Sequence, residues 1–222
     1  MVSQENTQSV NANQEIKELG TINAARPITI LNIIGEVEGH TVLPAQSKAT
    51  KYEHIIPLLE EVEQSPEKKG VLMVLNTMGG DVEAGLAIAE LVRGLSKPSV
   101  SLVLGGGHSI GVPLAVCTQY SFIAPTASMM VHPIRMTGLV IGVSQTYAYF
   151  NKMQERVTQF ICSNSRVKRS EFERILLNKN KIATDIGSVL IGKQAVDIGL
   201  IDSIGSLSDA LNKLNSLIRK TD

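Results

Sequence analysis

The chain has 222 residues, 43% of them hydrophobic, and Lys plus Arg equals Asp plus Glu at 21 each. That length and apolar content suit one globular domain with a sizeable core. The even charge balance, with four Phe, four Tyr and no Trp, argues against a nucleic-acid or anionic-membrane partner, which would need a basic surface or stacking platforms.

Residues 1 to 26 are rich in Asn, Gln and Ser and lack the apolar core of a signal peptide, so they read as a mobile arm ahead of a single domain over 27 to 222. After Pro27, ITILNIIG predicts a strand ending at Gly35, and EVEGHTVLPAQSKAT predicts a loop. KYEHIIPLLEEVEQ has the helical spacing of Ile55, Leu58, Leu59 and Val62. GVLMVLN predicts a continuous apolar strand, TMGG a turn, and DVEAGLAIAELVRGLS a helix broken at Lys97-Pro98. PSVSLVL follows as a strand, then a helix after Gly107 carrying Ile110, Pro113, Leu114 and Cys117, then strands at SFIA and SMMVH.

Residues 138 to 162 form a long helical pattern with an apolar stripe of Val143, Tyr147, Phe150, Met153, Val157 and Phe160 or Ile161. A helix of that length could project from the body and pair with another subunit. SEFERILLN predicts a second helix. SVLI is then a short strand, KQAVDIG a helix, LIDSI a closing strand, and SDALNKLNSLIRK an amphipathic helix with a serine-type cap. Strands alternating with helices imply an α/β fold with a mostly parallel, buried sheet.

No run reaches the ~18 consecutive apolar residues of a transmembrane span. Cys117 and Cys162 have no metal-like spacing, and one pair is a poor disulfide framework. Cys117 is expected as a buried free thiol, and the chain as a cytoplasmic protein without metal or other cofactor.

The chemistry centres on GGGHSIG, residues 105 to 111, where Ser109 follows the strand PSVSLVL. A serine hydroxyl attacks only if a base takes its proton and a third group holds that base. Of the histidines, His132 ends the strand SMMV, so it shares with Ser109 the carboxyl edge where functional groups gather in open parallel sheets. His108, beside Ser109, reads as a structural or rim residue; His40 and His54 read as solvated or partner-facing. Between Ser109 and His132 there is no Asp or Glu, which excludes the α/β-hydrolase order of serine, acid, histidine. The order left is serine, histidine, acid, with Glu155, Glu171, Glu173, Asp185, Asp197, Asp202 and Asp209 downstream. Asp185, in the loop ATDIG before SVLI, has the better position for reaching an edge site. A Ser–Lys pairing using Lys152 is a weaker variant. An oxyanion site needs preorganised N–H donors; Ile110, after the serine, is one candidate, and the Gly-Gly turn of NTMGGDVEAG offers another.

MGGDVEAGLAIAE at 78 to 90, GGGHSIGVPLA at 105 to 115, ASMMVHP at 127 to 133 and AVDIGLIDSIGS at 195 to 206 together resemble the ClpP serine peptidase family, over about residues 28 to 207. GEVEGH, KYEHIIP, GLVIGVSQT and KMQERV bring the chain nearest to the ClpP-like group called translocation-enhancing proteins, or TepA. The resemblance implies a ClpP/crotonase-like fold with a protruding handle helix at 138 to 162 and stacking of subunits into rings. It implies Ser109 as nucleophile, His132 as general base, Gly80 and Ile110 as oxyanion donors, and Asp185 as the orienting acid. Counting back from GLIDS, however, the family's acid position falls at Gly187, two residues beyond Asp185.

A serine endopeptidase acting on peptides or unfolded proteins is therefore the leading expectation, as a homo-oligomer with an ATPase unfoldase as a possible partner. The alternative is a non-catalytic ClpP-like assembly or translocation-assisting subunit. An acyl-CoA enzyme of the wider crotonase-like fold would need carboxylates near GGGHS, and none is obvious there.

Overall fold

The structure is a computed structural model that describes residues 26–135, 141–178 and 187–221. The expected arm, apart from Arg26, lies outside the described residues, as does Asp185.

Eight strands and seven helices are described. The strands are β1 (Ile28–Glu38), β2 (Ala49–Lys51), β3 (Gly70–Gly80), β4 (Ser99–Gly107), β5 (Tyr120–Ile123), β6 (Ser128–Val131), β7 (Ser188–Ile191) and β8 (Ser203–Ile204). The helices are α1 (Tyr52–Gln64), α2 (Val82–Gly94), α3 (Gly111–Val116), α4 (Val143–Ser163), α5 (Arg169–Leu176), α6 (Lys193–Asp197) and α7 (Leu207–Thr221). The main sheet runs β2-β1-β3-β4-β5-β8 with every pairing parallel. The antiparallel pair β6–β7 joins it through Gly106↔Ser128. The α/β fold with a mostly parallel sheet expected from the pattern is the fold observed.

Continuous apolar runs become central strands because both sheet faces are covered. On one face Leu31, Ile33, Met73, Leu75 and Val103 pack under α1, α2 and α3, in the larger core cluster. On the other, Leu72, Val100, Leu102 and Phe122 meet Ala210 and Leu214 of α7. Ser206 and Asp209 cap α7 reciprocally: the Ser206 N–H and hydroxyl donate to the Asp209 carboxylate, and the Asp209 N–H donates to the Ser206 hydroxyl.

Three boundaries differ from the expectation, and each bears on the site. The first strand does not stop at Gly35: that residue adopts φ 78° at a bulge, and β1 resumes to pair Glu36↔Gly79 and Val37↔Gly80. TMGG is not a turn but the end of β3, because those pairings hold it extended; the chain turns only at Asp81, which caps α2 by accepting the Ala84 N–H at 2.8 Å. The long helix starts at Val143, with Gly142 in a left-handed conformation ahead of it, rather than at 138. Its stripe divides: Met153, Phe160 and Ile161 are buried in the body, whereas Val143 and Tyr147 are exposed, so its first half projects as expected of a handle. Among the described residues no helix is long and apolar enough to cross a membrane.

Candidate active site

Ser109 lies between the end of β4 at Gly107 and the start of α3 at Gly111. Its φ of 55° makes it the one non-glycine residue with positive φ among the described residues. That conformation costs roughly 1–2 kcal/mol for an L-residue, and a strained strand-to-helix turn is how a serine is thrust out of a parallel sheet. Backbone hydrogen bonds hold the turn. The His108 N–H donates to the Thr77 carbonyl at 3.1 Å, Ser109 N–H to Met130 at 2.9 Å, and Gly111 N–H to His108 at 2.8 Å.

His108 binds from the side chain as well. Its Nδ1 accepts the Met130 N–H at 3.0 Å, so both backbone groups of Met130 are spent on the serine turn. That is the structural role the sequence suggested for this histidine. Burial first, and then the charge of nearby His132, hold the His108 pKa below the ordinary imidazole value.

His132 follows β6 immediately, two residues after Met130. Its Nδ1 lies 2.6 Å from the Pro133 carbonyl oxygen. A carbonyl only accepts, so in the neutral ring this contact puts the proton on Nδ1 and leaves Nε2 as the acceptor. Ser109 and His132 line one cleft of ≈ 160 Å³, together with Gly80, Ile110, Arg135 and Gln154 and walled by apolar side chains from α2 to α5.

The two candidate oxyanion donors face the same cleft. Asp81 N–H donates to the Val37 carbonyl at 2.9 Å. Successive amides of an extended chain point to opposite edges, so the Gly80 N–H points away from β1, toward the edge that β4 leaves after Thr77↔Gly107. Ile110 N–H makes no backbone hydrogen bond among the described residues, whereas the next two amides, of Gly111 and Val112, donate to the His108 and Ser109 carbonyls. Both glycines are required where they stand. A Cβ on Gly79 (φ 102°) would come within 2.6 Å of Ser109 Cβ, and one on Gly80 (φ 147°) within 2.2 Å of the Val37 carbonyl oxygen.

Thr77 escaped the sequence reading. Its buried hydroxyl donates to the Gly35 carbonyl at 2.6 Å and accepts the Gly79 N–H at 3.0 Å, tying the bulge in β1 to the Gly-Gly segment. A threonine two residues before a glycine is the available sequence signal, since Ser and Thr side chains bond the amide at i+2.

The six downstream carboxylates among the described residues are engaged elsewhere. Glu155 and Glu173 pair with Arg169, Glu171 with Arg174 and Asp197 with Lys193. Asp202 accepts from the Ser121 N–H and hydroxyl at 2.9 Å and from Arg166, and Asp209 caps α7. None of these six lines the cleft. Gly187, at the family's acid position, passes directly over His132: a Cβ there would stand 2.4 Å from the Val131 carbonyl oxygen and 2.9 Å from His132 Cβ. Lys152 is exposed on α4 and is not among the lining residues. His40 is exposed and meets the Tyr52 hydroxyl through Nδ1 at 3.2 Å, and His54 is partly exposed on α1. Cys117 is a buried free thiol whose pKa burial drives upward, and Cys162 is free as well.

A sheet that opens at its carboxyl edge over a strained serine and a histidine is the architecture of ClpP-type peptidases, and the sequence comparisons agree with it. The model of the Clp protease family matches residues 25–207, and the chain belongs to that family. The translocation-enhancing protein TepA of Halalkalibacterium halodurans is 52% identical over 211 residues, spanning 93% of this chain and 82% of the relative. The ATP-dependent Clp protease proteolytic subunit 1 of Chlamydia pneumoniae is 26% identical over 138 residues, 61% of this chain and 70% of that subunit. Its namesake in Protochlamydia amoebophila is 31% identical over 90 residues, 40% of this chain and 44% of that subunit.

The His108 contact carries a pH signature. A pKa lowered on folding means that the folded protein takes up this proton less readily than the unfolded chain. Its stability is therefore complete above the unfolded histidine value of about 6.5 and is lost as pH falls through that value toward the folded one. Urea unfolding between pH 7.5 and 5.5 is expected to show a smaller loss of stability in His108→Asn than in wild type. Equal losses would contradict the assignment.

Proposed function

We propose that this chain is a serine peptidase that cleaves peptide bonds by acyl transfer through Ser109. The observation that carries the reading is the pairing, in one cleft, of a serine held at φ 55° with a histidine whose Nε2 is left as an acceptor.

An extended peptide adds as a strand along the open edge of β3 beyond Thr77, which brings a substrate carbonyl over Ser109. His132 Nε2 takes the hydroxyl proton as Oγ forms its bond to the carbonyl carbon. The negative charge that develops on the carbonyl oxygen is met by the Gly80 and Ile110 amides. Collapse of the tetrahedral intermediate breaks the C–N bond, and His132 gives its proton to the leaving amine. A water, deprotonated by the same imidazole, then hydrolyses the acyl-enzyme. Asp185, the acid that the family resemblance implies, lies outside the described residues, and the Ser–His pair is argued without it. The exposed first half of α4, with Val143, Tyr147 and Tyr149, suits a second copy in a ring assembly.

One observation favours a second reading, a ClpP-like assembly or translocation-assisting subunit without proteolysis. Gly187 stands at the acid position with no space for a side chain. The name of the TepA relative points the same way.

A fluorophosphonate probe separates the two. Wild type is expected to form a covalent adduct that disappears in Ser109→Ala and forms roughly 10²–10⁴-fold more slowly in His132→Ala. Gly79→Ala, which crowds Ser109 without touching the histidine, is expected to slow labelling by about 10²-fold while circular dichroism stays native. Absence of any Ser109-dependent adduct on folded, assembled protein would establish the second reading.

A further inference from the structure

We infer that the imidazole of His132 is oriented by Gln154 of α4, acting through the peptide unit between Pro133 and Ile134. The role assigned to that imidazole rests on the peptidase reading above; the positioning itself rests on contacts that exist without it.

His132 Nδ1–H donates to the Pro133 carbonyl at 2.6 Å. The Ile134 N–H donates to Gln154 Oε1 at 2.9 Å. That carbonyl and that N–H belong to one planar trans peptide and point in opposite directions. A group that fixes the N–H therefore fixes the direction of the C=O, and with it the plane and tautomer of the imidazole. Polarisation runs the same way: a peptide whose N–H is bonded is a stronger acceptor at its oxygen, by roughly 10–30% per bond.

Gln154 is itself held. Its Nε2 donates to the hydroxyl of Thr158, one helical turn further on, at 3.2 Å. Thr158 is 3% exposed, and the same stretch of α4 is anchored by Met153, Phe160 and Ile161. The amide orientation follows from its partners, because the Ile134 N–H can only donate and so must face the amide oxygen. Opposite, a Cβ at position 187 would meet the Val131 carbonyl and His132 Cβ, so the glycine there leaves the ring to the contacts above. Among the described residues, a peptide unit and a neutral amide hold this ring. Gln154 is a positioning residue, and it ties the imidazole to the handle helix.

The test reads the tautomer directly. Side-chain nitrogen NMR of ¹⁵N-histidine-labelled full chain, with the His132 signal assigned by its loss in His132→Ala, is expected to show the neutral ring protonated at Nδ1. Gln154→Leu removes the acceptor for Ile134 N–H and is expected to release the ring into a mixture with the Nε2–H form. Gln154→Glu keeps an acceptor and is expected to restore the wild-type signal, which a purely packing role would not do. A wild-type ring protonated at Nε2, or a Gln154→Leu signal identical to wild type, overturns the inference. Fluorophosphonate labelling adds the functional reading: about 10- to 10²-fold slower in Gln154→Leu and near wild type in Gln154→Glu. If wild-type Ser109 takes no label at all, the peptidase reading fails, while the tautomer alone still decides the positioning.

Discussion

The site depends on a single backbone residue, Met130. Its carbonyl accepts the Ser109 N–H and its own N–H donates to His108 Nδ1, so the turn after β4 and the strand before His132 are clamped together. β4 pairs with β5 only as far as Val103↔Ile123, then takes β6 as its neighbour on that side at Gly106↔Ser128. On its other side the register with β3 shifts between Leu75 and Thr77. The sheet therefore opens at its carboxyl edge, and the strained serine stands in the opening. Small residues make the divergence sterically possible: a Cβ on Gly105 would strike the Asn76 side chain at 2.4 Å, and one on Gly106 would crowd the His108 ring at 2.9 Å.

Much of this was legible in the sequence for identifiable reasons. Apolar runs such as GVLMVLN and the breaks at Lys97-Pro98 report burial and chain stiffness directly, so the order of strands and helices followed. The acid-free interval from Ser109 to His132 ruled out a whole class of hydrolases without any coordinates. What escaped were features made by pairing across the chain. A bulge at Gly35 and the extension of β3 through Gly80 are set by strand neighbours, and neither side of that pairing announces it alone. Backbone acceptors such as the Pro133 carbonyl carry no residue signature at all. Gln154 was hidden for another reason: it sits beside Met153 on a helix whose apolar stripe drew the attention, and its role needs a loop 20 residues away.

The carboxylate question is recast by the structure. Six of the downstream acids are committed to arginines, a lysine, a hydroxyl or a helix cap, and none of the six lines the cleft. Exposed pairs of this kind contribute little individually; of these, Arg169–Glu155 joins α5 to α4, whereas Glu171–Arg174 and Lys193–Asp197 lie within single helices. A histidine does not need a negative charge to hold a tautomer; it needs a fixed acceptor, and the Pro133–Ile134 peptide is one. Coupling of that peptide to α4 ties the geometry of His132 to the placement of that helix.

The central claim is that Ser109 attacks a carbonyl whose oxygen is received by the Gly80 and Ile110 amides. A crystal structure of the protein reacted with a peptide boronate tests it most directly, because the tetrahedral boron mimics the intermediate. The account predicts a bond from Ser109 Oγ to boron, with one boronate oxygen about 2.7–3.1 Å from both amide nitrogens and His132 Nε2 facing the adduct. A peptide bound without that bond, or an adduct whose oxygens avoid both amides, would contradict it.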